Sequence, residues 1–164
     1  MTVTQVPAEL RLRTIDGEER SAEEWTTLFH LLLVVLDPYT DESAWIIDTA
    51  GRILEHFSEA DCRPAWLVTS RRPGGARQFL GPWAERFLTF HDPDREVVKA
   101  LGLERLPAMV HLDVDHQIRG SAEGWHPDEW RKVSEQLAKI LAWSRPQIPR
   151  PGDPLPFDGT PALG

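Results

Sequence analysis

The sequence predicts an α/β fold in which a central mixed β-sheet is flanked by helices on both faces. Three observations predict it. Leu28 to Leu36 is apolar almost without a break and rich in Leu and Val, as a central parallel strand covered on both faces requires. The stretch after it sets Ile46, Ile47, Ala50, Ile53, Leu54 and Phe57 at helical spacing along one stripe, with Asp48, Arg52 and Glu55 opposite. Pro64 to Thr69 then returns as a second buried strand, completing one βαβ unit.

The remaining elements follow in order. Leu10 to Arg13 alternates apolar and polar and meets Asp16-Gly17, a turn signal, so a short edge strand and turn open the fold. Ser21 and Glu24 have the spacing of a capping box and predict a single helical turn to about Thr27. Pro73-Gly74-Gly75 ends the second buried strand; Gly75 to Arg86 reads as a short helix interrupted at Gly81-Pro82, and Phe87 to Phe90 as a short strand. Asp92-Pro93-Asp94-Arg95-Glu96 is a helix start, with an N-cap acid, proline at the first helical position and acids in the first turn; Gly102 ends that helix. Met109 to Val114 and Gln117 to Gly120 form a hairpin around Asp115-His116. Pro127 opens a last helix with Trp130, Val133, Leu137, Ile140 and Leu141 on one face. Residues 1–144 therefore read as one domain, and residues 145–164 as a Pro-rich C-terminal tail, extended or mobile.

Composition sets the class. The 164 residues, 41% hydrophobic and 27% charged, suit one globular domain with a single sizeable core. Leu31 to Leu36 is far shorter than the roughly 20 residues of a membrane span, and the N-terminus lacks a basic-then-apolar pattern, so the expectation is a cytoplasmic protein without a membrane partner. A formal charge of -8 opposes attraction to phosphate backbones, and the one dense basic point is Arg71-Arg72, so nucleic acid is not an expected partner. The single cysteine, Cys62, supplies neither an internal disulfide nor a cysteine-based zinc cage. No cofactor motif is present, and none is expected to bind.

Four segments together resemble the thioredoxin-like superfamily, in its redoxin branch of TlpA-type thioredoxins and AhpC/TSA peroxiredoxins. They are Ile15-Asp16-Gly17-Glu18 followed by Ser21, His91 through Leu103, Leu106-Pro107-Ala108, and Val110 through Gly120. The resemblance covers roughly Leu10 to Trp143 and implies a thioredoxin-like fold with Pro107 as its cis-proline. It also implies a groove in which Leu106 and Pro107 present backbone groups to a peptide beside the strand-to-helix junction. At that junction the family's aromatic-Cys-x-x-Cys is matched in spacing by Tyr39-Thr40-Asp41-Glu42-Ser43, which puts Thr40 and Ser43 at the two cysteine positions. No cysteine lies within eighteen residues of Ser43.

A strand-to-helix junction is where backbone N–H groups and the helix dipole turn a cysteine into a reactive thiolate; here it holds hydroxyls and carboxylates. One reading is local: Thr40 caps the helix, and Asp41 and Glu42 complement its dipole. The functional reading makes Tyr39, Thr40, Asp41, Ser43, Trp45, Leu106 and Pro107 a groove for a protein or peptide partner. Such a protein is redox-inactive, in the manner of an assembly factor or chaperone, and has no catalytic residue. The alternative is a thiol-dependent oxidoreductase or peroxidase-like enzyme using Cys62 or a partner's thiol. That alternative needs Cys62 exposed and its thiol made acidic by Arg63, yet its place before Pro64 is at the strand end opposite the usual site. His111, Asp113 and Asp115 alternate onto one strand face with His116 and His126 near, but the hairpin turn explains Asp115-His116, so no metal is expected. Of the seven tryptophans, Trp45, Trp66 and Trp130 fall on or beside core faces. Trp83 and Trp125 are harder to place, and with Tyr39 and Trp45 they make a candidate contact patch.

Overall fold

The computed structural model describes residues 3–164. In chain order the elements are β1 (Arg11–Thr14), β2 (Glu19–Ser21), α1 (Ala22–Trp25), β3 (His30–Leu36), α2 (Asp41–Trp45), α3 (Ile47–His56) and β4 (Cys62–Val68). Then come α4 (Pro73–Leu80), α5 (Trp83–Arg86), β5 (Leu88–His91), α6 (Glu96–Ala100), β6 (Arg105–Leu106), β7 (Ala108–Leu112), β8 (Ile118–Glu123), α7 (Pro127–Leu141) and β9 (Thr160–Pro161). Seven strands form one mixed sheet in the order β2-β1-β5-β4-β3-β7-β8, and β6 pairs separately with β9.

Strand β3 lies at the centre and explains its own sequence. Leu32, Val34 and Leu36 enter the core shared with α3 and α7, whereas Leu31, Leu33 and Val35 enter the core shared with α1 and α6. A strand buried on both faces has no polar face to alternate with, hence the unbroken apolar run. The stripe on α3 buries Ala50, Ile53 and Leu54 completely, and Trp66 and Trp130 are fully buried as expected. The Ser21–Glu24 capping box forms in full at α1.

Several elements differ from the sequence expectation. Strand β1 is interior, between β2 and β5, and β2 takes the edge. Helix α6 starts at Glu96 rather than Pro93, because Asp92 uses its carboxylate to accept the Val98 N–H at 3.0 Å from outside the helix, and Arg95, at φ 58°, makes the turn into it. Burial raises the pKa of Asp92 against the backbone N–H bonds that lower it. Ile140 is about half exposed, since α7 turns Trp130, Val133, Leu137 and Ala138 inward. Trp125 is wholly buried against Trp130, with ring centroids 5.2 Å apart, and Trp83 stacks on Phe87 and donates to Asp48, so neither forms an exposed patch with Tyr39.

The C-terminal segment is extended, but it is bound along its length. Arg52 donates to the Gln147 carbonyl and to the Asp153 carboxylate, Arg131 donates to the Ile148 carbonyl, and Ile148 and Ala162 are buried. These anchors sit singly among prolines, so they leave no periodic signal.

Candidate functional site at the strand-to-helix junction

Strands β3, β4 and β5 are parallel, so their C-terminal ends share one edge of the sheet, and β7 runs antiparallel and begins at that edge. The register pairs Val35 with Ala108, which sets Pro107 beside the Leu36-Asp37 end of β3. Topology thus brings the junction and the Leu106-Pro107 loop together, and the Leu106–Pro107 bond is cis.

Inside the junction the hydroxyls serve the backbone. Ser43 is fully buried and its Oγ accepts the Asp37 N–H at 2.9 Å, while Thr40 Oγ1 donates to the Asp37 carbonyl at 3.2 Å. Thr40 occupies the N-cap position of α2 without a side-chain capping bond, because its hydroxyl turns back to Asp37. Asp37 itself is only 2% exposed; Oδ1 accepts the Tyr39 N–H at 2.9 Å and Oδ2 pairs with Arg95 at 3.1 Å. Among the described residues neither hydroxyl is hydrogen-bonded to a side-chain base, as an activated nucleophile would be; both serve the Asp37 backbone.

What the junction offers outward is aromatic. Tyr39 is 64% and Trp45 55% exposed, with Asp41 exposed between them. Tyr39 also reaches across the edge, its Oη accepting the Arg71 N–H at 3.2 Å. Leu106 and Pro107, by contrast, are buried, and the chain's own C-terminal segment lies against Leu106. There β9 pairs antiparallel with β6, Leu106 opposite Thr160 and Arg105 opposite Pro161, and the Ala162 N–H continues the pairing to the Glu104 carbonyl at 2.9 Å. Phe157 exchanges both backbone hydrogen bonds with Trp125 and sets its ring edge-on to Trp45 at 5.5 Å. Arg95 ties this segment to the junction, donating to the Ala162 carbonyl at 2.5 Å and to Asp37.

This architecture has counterparts among solved structures. The chain superimposes with a TM-score of 0.64 and 12% identity on the thioredoxin domain of the thiol-disulfide oxidoreductase BVU-2223 from Bacteroides vulgatus, covering 86% of this chain and 98% of that one. It superimposes with a TM-score of 0.60 and 13% identity on a secreted disulfide oxidoreductase of Mycobacterium tuberculosis homologous to DsbE of E. coli, covering 80% and 96%. The chain has the thioredoxin-like fold. Within that fold it also matches the hypothetical protein SMc02350 of Sinorhizobium meliloti 1021, at a TM-score of 0.67 and 13% identity over 99% of this chain and 94% of the other. No protein-family profile matches the sequence, and no curated protein matches it.

The thioredoxin-like scaffold carries its one thiol far from this edge. Cys62 opens β4 opposite His30, at the other end of the seven-residue strand β3, about 20 Å away at the usual rise per residue. It is 7% exposed, its Sγ faces the Phe57 carbonyl, and burial followed by the charge of Asp61 pushes its pKa up to about 12. Arg63, the flanking cation, lies over the rings of Trp25 and Phe29.

The histidines separate as well. Among the described residues no group of three or more His, Cys, Asp or Glu side chains is placed to hold a metal ion. Asp113 accepts the N–H groups of Asp115 and Gln117 and pairs with Arg119, which closes the hairpin turn, and His126 pairs with Asp158 in the tail. His111 is fully buried on the face opposite Val110, and its Nε2 lies 2.7 Å from His30 Nδ1. Burial and the His30 neighbour push the pKa of His111 down to about 4. A depressed pKa means that the unfolded chain takes up this proton first, so the contribution to stability is full above the ordinary histidine range and falls as pH drops from about 6.5 toward 4. The loss assignable to His111 reaches about 2 kcal/mol by pH 5. Urea unfolding at pH 7 and pH 5 checks this: His111→Leu should lose less stability between the two than the parent, and an equal loss would refute it.

The residues that sequence reasoning missed are Asp37, Arg95 and the segment Phe157 to Ala162. Asp37 and Arg95 are 58 positions apart, and only the fold places them in contact. For the tail, the available signal was Phe157 with Gly159 inside a proline-rich run.

Proposed function

We propose that this chain is a redox-inactive thioredoxin-fold protein that binds an extended segment of a protein partner, as an assembly factor or chaperone does. The contact runs along β6 and the exposed face of Tyr39 and Trp45. The observation that carries this reading is the β6–β9 pairing: the edge ahead of Pro107 already accepts an extended chain by strand addition, with an aromatic residue of that chain against Trp45. Main-chain pairing supplies affinity in such a site, and flanking pockets supply selectivity. The absence of thiol chemistry is supported by the hydroxyl groups at positions 40 and 43 and by the burial and high pKa of Cys62, since the thiolate is the reactive form.

Two measurements test the reading. Thiol-dependent turnover of hydrogen peroxide and of a model disulfide should stay at background for both the protein and Cys62→Ser. Turnover that disappears in Cys62→Ser would return the site to the thiol. Selection of extended peptides from a random library on the immobilised protein should yield binders that are lost with Tyr39→Ala combined with Trp45→Ala, and failure to enrich any such peptide would refute the groove.

A further inference from the structure

Resting on the groove just proposed, we infer that residues 157–162 are its resident ligand in the free protein, and that their sequence states what a partner must offer: aromatic, any, glycine, any, any, small. The partner is an extended segment of another protein bearing that pattern, and it enters by displacing the chain's own copy.

Each position has a physical reason. Phe157 is held between the Trp45 ring and the core below it. Gly159 sits at φ +83° with its backbone against Leu106, where a Cβ would meet the Leu106 carbonyl oxygen at 2.4 Å, so no other residue fits without movement of the groove wall. The wall answers in kind at Gly124, where a Cβ would meet the Asp158 carbonyl oxygen at 2.6 Å. Ala162 is 1% exposed and packs in the same core as Leu106, so a larger side chain there has no room. Asp158 and Pro161 are exposed and impose little selection, and Thr160 is half-buried with its hydroxyl 3.4 Å from the Leu106 carbonyl, a long contact that selects weakly.

The same contacts make the segment displaceable. Its strand is two residues long, its contact from Asp158 to His126 is exposed, and the chain leading to it leaves Leu155 85% exposed. A covalently attached segment competes at an effective concentration of about a millimolar, so an incoming peptide meets an occupied groove.

The test uses the full chain and a labelled synthetic peptide of residues 153–164, followed by fluorescence anisotropy. Gly159→Val in the protein unseats the resident segment and leaves the groove wall unaltered, so the peptide should bind this variant about tenfold or more tighter than the parent. A peptide carrying the same Gly159→Val change should not bind. If Gly159→Val fails to fold, Phe157→Ala, which deletes a half-buried ring and adds no clash, should shift affinity in the same direction. Equal affinity for parent and variant would overturn the gating while the groove stands. No binding of this peptide to either, with library peptides still captured through Tyr39 and Trp45, would overturn the inference alone. Failure of both kinds of peptide would remove the groove as well. A parent dimer that disappears in Gly159→Val would assign the groove to the tail of a second copy and overturn the foreign partner.

Discussion

Replacing Trp125 with alanine is expected to destabilise the protein by about 3–5 kcal/mol and to free the C-terminal segment in the same step. The ring is fully buried and packs edge-on against Trp130, so its removal leaves a cavity between the hairpin end and α7 that rigid neighbours cannot fill. Its indole N–H also donates to the Pro154 carbonyl at 2.8 Å, and its backbone exchanges two hydrogen bonds with Phe157. One residue therefore joins the core to the tail. Urea unfolding measures the first effect, and amide exchange at Ala162, whose N–H reaches Glu104, measures the second. Trp125→Phe keeps a six-membered ring but loses part of the indole and its N–H, so it should cost less than alanine, about 1–3 kcal/mol. If Trp125→Ala leaves Ala162 protected, the tail is held by the Arg52–Asp153 ion pair and by the Arg95 hydrogen bond to the Ala162 carbonyl and not through the core.

The case of Trp125 also shows where a sequence stops being readable. Local periodicity carries information only when the burying partner repeats along the same element. The β3 run and the α3 stripe were legible for that reason, since Leu31 to Leu36 and Ala50 to Phe57 are each buried by an extended sheet or helix surface. Trp125 sits in a short polar connection and is buried partly by residues about thirty positions later, which no window along the chain contains. The tail presents the converse. An extended segment anchors one side chain at a time, at Ile148, Phe157 and Ala162, and its prolines suit the extended backbone it adopts. Composition that reads as a mobile tail is thus equally the composition of a strap.

The candidate site divides along the same line. The resemblance to the thioredoxin-like family placed Thr40 and Ser43 at the two cysteine positions and Leu106-Pro107 beside them, and the strand register brings the two segments together. What the hydroxyls do was not legible, because both turn to the Asp37 backbone, and Ser43 is fully buried. The exposed side chains Tyr39 and Trp45 are what remain for contact. The helix start at Asp92 failed for a related reason: the acid does act on the helix, but from a position six residues before Val98, so the local capping pattern gave the right role at the wrong register.

Arg95→Met should cost about 3 kcal/mol, because it leaves the Asp37 carboxylate buried without its cation. Asp37 is enclosed at the end of β3, and its other partner, the Tyr39 N–H, carries no full charge to offset the desolvation of the carboxylate. Methionine retains the length of the arginine stem and has no greater tolerance of the φ 58° backbone, so the comparison isolates the guanidinium. Adding Asp37→Asn in the Arg95→Met background should recover part of the loss, since a neutral amide still accepts the Tyr39 N–H and needs no counter-charge. A double-mutant cycle on urea midpoints gives the coupling directly. The unrecovered remainder belongs to the Ala162 carbonyl, which Arg95 also holds. It should therefore reappear as faster amide exchange at Ala162, whichever residue stands at position 37. If the double variant is no more stable than Arg95→Met, the charge of Asp37 is not what Arg95 offsets, and the arginine acts on the protein through the tail alone.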